Sequence, residues 1–237
     1  MRLTNGPNLV TVMMDYIHEL DASGNIIGTS GPNHGKHSRE TFASVDFDIF
    51  DAVQSNEFDV TSYAVDFFTE LMESAKLNVT IHVFNQDGTI HPTANETFAV
   101  NAGTIKFSIA IDSWPFCQGE SDSSSMGKAC ASDYGEFLEL GVEIKGRDSG
   151  DAEQATSTKY TLDPVSGRDP IELEFSTEVM IDGEWFQMPE GYPKVEVQGG
   201  KQLFIFRFPR FESSAMYDPL IKFPEERTFF QKIFSCR

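Results

Sequence analysis

Three aspartates, Asp46, Asp48 and Asp51, crowd one short segment, and Asp148, Asp151 and Glu153 crowd another that contains glycine. Clustered carboxylates repel one another. A hard divalent cation such as Ca2+ relieves that repulsion and takes carboxylate and loop-carbonyl oxygens as ligands. Both clusters are therefore candidate Ca2+ sites, weighed against the plainer reading of solvated acidic faces. A third run, Asp21, Ser23 and Asn25, opens like an EF-hand loop. It has Ile26 where that loop requires its sixth-position glycine and Asn33 where it requires glutamate, so it is excluded. His34 and His37 stand in a loop without the helical spacing or nearby Cys and acidic partners of a zinc site, and they read as solvated.

Covalent catalysis finds no footing. There is no Gly-x-Ser-x-Gly elbow and no cysteine in a protease context. Paired carboxylates for glycoside hydrolysis need a separation of ~5–9.5 Å across a cleft, which sequence does not show. Trp114, Trp185, Phe186 and Tyr192 are candidates to stack on sugar rings, although core packing is the default use of an aromatic side chain. A carbohydrate-binding module, or a β-sandwich glycoside hydrolase or lyase, is thus the alternative to a protein without catalytic activity.

Cys117 and Cys130 bracket a polar Ser- and Gly-containing stretch whose length suits a disulfide, a bridge that stabilises by ~3 kcal/mol in the chain-entropy model. Three free thiols remain the other reading. Cys236 is then odd, to pair between chains or stay a thiol. Asn78-Val-Thr80 and Asn95-Glu-Thr97 are glycosylation sequons. Together these features place the chain outside the reducing cytosol, as an extracellular or secreted mature chain that has shed its signal peptide. No apolar window is long enough for a transmembrane helix. With 37 acidic against 18 basic residues, the net charge of −19 repels phosphate backbones and anionic headgroups, so nucleic acid is excluded as a partner. The same charge favours cations, basic proteins and mineral surfaces.

The elements that must carry these groups show a period of two. Leu138, Leu140, Val142 and Ile144 alternate with Glu139 and Glu143, and Ile171, Leu173, Phe175, Val179 and Ile181 alternate with Glu172, Glu174 and Glu178. Leu77 to Val83 and Phe107 to Ile111 repeat the pattern, as do residues 42–50 through Ala43, Val45, Phe47 and Ile49. Such strands face a core on one side and send their carboxylates to water on the other. Leu203 to Phe208 is apolar at nearly every position and reads as a central strand. Residues 63–71 read as a strand, with a helical turn or two placed between Phe67 and Lys76. Asp21–Asn25, Asp87-Gly88, Asp182-Gly183 and Gly199-Gly200 punctuate the strands as turns.

The expected fold is all-β, an antiparallel β-sandwich (one large or two small) with little helix. Residues 1–224 form the body, with a sub-boundary conceivable near 147–158. Residues 225–237 form an apolar tail in which Phe229, Phe230, Ile233, Phe234 and Cys236 are candidates for assembly. The expected function is that of an extracellular structural, adhesive or matrix protein. It self-associates into homo-oligomers or joins other extracellular proteins, and it binds Ca2+ through acidic loops and strand faces.

Overall fold

The computed structural model describes residues 2–5, 8–27, 38–39, 41–56, 58–72, 74–93, 95–119, 130, 134–146, 152–156, 158–162, 170–198 and 201–223. Its strands, in chain order, are β1 (Arg2–Asn5), β2 (Asn8–Leu20), β3 (Ser38–Arg39), β4 (Asp48–Ile49), β5 (Val53–Ser55), β6 (Ser62–Met72), β7 (Ala75–Phe84), β8 (Gly88–Ile90), β9 (Phe98–Val100) and β10 (Ile105–Asp112). There follow β11 (Phe137–Gly146), β12 (Glu153–Gln154), β13 (Lys159–Leu162), β14 (Ile171–Glu174), β15 (Glu178–Ile181), β16 (Glu184–Gln187), β17 (Lys194–Gln198), β18 (Lys201–Pro209), β19 (Ser214–Tyr217) and β20 (Leu220–Lys222).

Two antiparallel sheets carry the core, as the alternation requires. A six-stranded sheet runs β1-β2-β11-β18-β17, with β3 on β2. A twelve-stranded sheet contains β7 and β10 at its centre. On one side β10 pairs with β7 along its whole length; on the other it pairs with β20 at its start and β19 at its end. Pro219 separates those two partners and offers no N–H to a ladder, yet its carbonyl still accepts from Phe107 N at 2.9 Å. Here the sheet forks, β20 leading to β14 and β19 to β15.

The alternating residues meet between the sheets. Leu138, Leu140, Val142 and Ile144 from one sheet, and Leu77, Val79, Ile81, Phe107, Ile109 and Leu173 from the other, belong to one buried cluster reaching from Leu3 to Phe223. Residues on both sides of 147–158 contribute to it. β18 is central, between β11 and β17. Phe204, Phe206 and Phe208 pack on the inner cluster, while Leu203 and Ile205 pack with Tyr16 on the opposite face.

Three expectations are corrected. The helical turns placed between Phe67 and Lys76 are instead the β6–β7 hairpin: Phe67 to Glu70 pair with Val79 to Lys76, Met72 pairs with Ala75, and the register shifts at Leu71. The strand expected over 42–50 is reduced to Asp48–Ile49: Phe42 and Val45 close a turn, and Ile49 is exposed instead of buried. Glu139, Glu143, Glu174 and Glu178, expected in solvent, are buried, whereas Glu172 is exposed as expected. They do lie opposite the core-facing residues of their strands, but neighbouring strands and loops cover that face. Trp114 is buried, as the default core-packing reading has it.

β2 carries a device that alternation alone hides. Its register against β11 steps from Gly141↔Tyr16 to Val142↔Met14, leaving Asp15 as the extra residue of a bulge. A bulge shifts the side-chain phase by one. Val10, Val12 and Met14 face the core before it, and Ile17 faces the core after it, while Tyr16 turns to the outer face.

Candidate functional site

The carboxylates divide into those held inside and those left outside. Glu139 leads the first group. It accepts hydrogen bonds from Tyr16 Oη at 3.0 Å, Tyr192 Oη at 2.9 Å and Arg207 Nη2 at 2.6 Å, and the guanidinium also lies over the Tyr192 ring. Glu174 is clamped by Lys159 at 2.8 Å and Lys222 at 2.5 Å. Burial by itself pushes the Glu174 carboxyl up, but the two ammonium groups outweigh it and hold it below the usual carboxylate range. Asp218 pairs with Lys106 at 2.8 Å, both nearly inaccessible. Glu19, fully buried, accepts from Trp114 Nε1 at 3.0 Å and Cys117 N at 2.7 Å. A buried charge without such partners is costly, so each of these acids stays inside because a cation or N–H donors meet it.

Glu96 and Glu178 form a second kind of pair. Burial raises the Glu96 carboxyl, and the negative Glu178 adds to that. Glu178 is held low, by Thr93 foremost and by the amides of Asn95 and Gln187. Carboxylates pushed apart in this way can divide the roles of acid and base. In this chain their contacts are structural: Asn95 Nδ2 donates to Glu178 Oε1 at 2.7 Å, Gln187 Nε2 donates to the same oxygen at 3.1 Å, and Thr177 N donates to Glu96. The sequon residue Asn95 thus spends its side chain on tying 93–97 to β15. Asn78, the other sequon residue, is half-buried within β7.

Outside lie Asp46, Asp48 and Asp51, all exposed on the segment that leads into and out of β4. Asp48 pairs through its backbone with Phe68. Among the described residues no group of three or more His, Cys, Asp or Glu side chains converges as a metal cage would. Asp148 and Asp151 lie outside the described residues, and Glu153 is exposed on β12. His34, His37, the Gly199-Gly200 turn and the tail residues Phe229, Phe230, Ile233, Phe234 and Cys236 also lie outside them. Of the candidate sugar-stacking aromatics, Trp114 points inward to Glu19, Trp185 and Tyr192 are half-buried, and Phe186 is exposed on β16. Cys117 and Cys130 form a disulfide with Cα atoms 5.4 Å apart. Arg210 braces the base of that loop, donating to the carbonyls of Cys117 at 2.9 Å and Gly135 at 2.6 Å.

Sequence reading missed a cavity of about 510 Å³ between the two sheets. One wall is Val12, Met14, Val142, Ile144 and Phe206; the other is Phe67, Val79, Phe107, Ile109, Phe175 and Ile221. Met13, Asp15, Thr41, Ala43, Phe47 and Ile49 stand at its open end. Alternation revealed which residues face inward; it carried no measure of how closely the facing side chains fill the gap.

Among the described residues, no helix is long and apolar enough to cross a membrane. The family model described as acidic skeletal organic matrix protein matches residues 5–172 and 165–230. A relative from Acropora millepora, described as uncharacterized skeletal organic matrix protein 4, is 43% identical over 50 residues, which is 21% of this chain and 24% of that protein. The match to this curated relative therefore spans about a quarter of its length. No solved structure matches the chain.

Proposed function

The chain belongs to the acidic skeletal organic matrix protein family, and from that premise we propose that it is a secreted structural protein of a mineral-associated extracellular matrix whose surface gathers calcium ions. One observation carries the calcium part of the reading. The basic side chains Lys106, Lys159, Lys222 and Arg207 are spent on buried or half-buried carboxylates, so the net charge of −19 is borne by acids elsewhere. Exposed acids such as Asp46, Asp48, Asp51, Glu153 and Glu172 supply hard oxygen ligands without a preformed cage. Such a surface holds Ca2+ as a weak, multiple, exchangeable layer in place of one chelated ion.

A matrix component must also join its neighbours, and an acidic surface resists doing so until cations screen it. The apolar tail residues Phe229, Phe230, Ile233 and Phe234, with Cys236, are the proposed contact. Light scattering at high protein concentration, across added Ca2+, tests the reading. Assemblies that grow with Ca2+, dissolve with chelator and fail to form when residues 225–237 are deleted are the expected result. A monomer throughout, with or without those residues, would overturn it.

A further inference from the structure

The space between the sheets is a feature separate from the acidic exterior. Protein interiors are close-packed, with few voids larger than a water molecule. Here about 510 Å³ stands open between strands that otherwise interdigitate, within the ~300–1,000 Å³ typical of small-molecule sites. Its depths are Phe107, Ile109, Phe175 and Phe206, each buried and apolar. An apolar chamber offers water no hydrogen-bond partners and favours an apolar guest.

Polarity returns at the mouth. Among the described residues, Asp15 and Thr41 are the polar side chains of the lining, and Asp15 is where it is because it is the extra residue of the β2 bulge. Bulges recur beside functional sites because they re-aim a side chain. An apolar barrel of space with one carboxylate and one hydroxyl at its rim matches an amphiphile lying tail inward. The carboxylate, on a chain of net charge −19, selects against an anionic head.

We propose that the cavity binds a single-chain lipid whose head group is an alcohol or an amine, its hydrocarbon between the sheets and its head at Asp15 and Thr41. The test is fluorescence of Nile red with the full chain, displaced by dodecylamine, dodecanol or dodecanoate below their micellar concentrations. Saturable Nile red uptake is expected, with the amine and alcohol displacing it at concentrations at least about fivefold below dodecanoate. Ala43→Trp places a large ring in the exposed mouth without overfilling the core. It should weaken uptake by about tenfold or more while leaving the melting temperature unchanged. Asp15→Asn should narrow the gap between amine and dodecanoate. Absence of saturable uptake, or uptake indifferent to Ala43→Trp, overturns the site; equal displacement by dodecanoate overturns the head-group assignment. Uptake only after deletion of 225–237 would show that the tail fills the space, and it too overturns the proposal. Calcium plays no part in this assay, so its result stands apart from the matrix reading.

Discussion

The imidazole of His82 lies edge-on to Phe58, with Nδ1 3.3 Å from Ser62 Oγ and with Lys106 and Asp66 near enough to act on its charge. Burial foremost, and the positive Lys106 after it, push its pKa from 6.5 down to about 4. The sign of the consequence follows from linkage. Below pH 6.5 the unfolded chain binds a proton that native His82 refuses, so stability is full above that pH and falls until about 4. Glu174 and Glu178, held low, keep their contribution to lower pH and lose it as their carboxyls protonate. Glu96, raised, acts oppositely: its contribution is present at acid pH and is lost as pH climbs through its folded value. Urea denaturation at stepped pH should show His82→Gln losing the decline between pH 6.5 and 4, with one proton fewer taken up on unfolding. An unchanged decline would remove His82 from this role. The direction of these shifts was not legible beforehand, because a lone histidine on a strand reads equally as a surface residue or a satisfied one until its neighbours are known.

Among the elements, β2 shows why some of the fold was hidden. Strands such as β7, β10 and β11 announce themselves because their apolar residues keep one phase from end to end. In β2 the phase changes at Asp15, so Met13, Met14, Tyr16 and Ile17 show no clean alternation until the bulge is seen. The same step places the Tyr16 ring flat over Gly141, where a Cβ would come within 2.3 Å of it, and the ring then stacks on His18 and reaches Glu139. Gly141→Ala should therefore destabilise by roughly 1–3 kcal/mol, the usual cost of overpacking. Chemical denaturation measures this directly, and a variant as stable as the parent would contradict the packing. The buried glutamates have a related origin. Alternation correctly sent Glu139 to the face opposite the core, but that face is roofed by Tyr192 and Tyr16, which come from distant parts of the chain. Turn chemistry, being local, was readable: Asp182 and Gly183 both adopt positive φ between β15 and β16, and the Asp182 carboxylate accepts the amides of Glu212, Ser213 and Ser214.

For the molecule as a whole, composition, cysteine spacing and periodicity together made the class readable: an acidic, disulfide-linked, antiparallel all-β protein. The partition of its charge was not readable, since it depends on which cation meets which buried carboxylate between segments far apart in the sequence. That partition is the foundation of the functional account. Equilibrium dialysis of Ca2+ against the purified chain, repeated as ionic strength rises, tests it most directly. The account predicts several weakly held ions per chain, with affinity in the ~10⁻⁴–10⁻³ M range of extracellular modules. Uptake should collapse as the Debye length shrinks from ~30 Å at 0.01 M to ~8 Å at 0.15 M salt. A single tight ion that withstands salt, or no uptake at millimolar Ca2+, would contradict it.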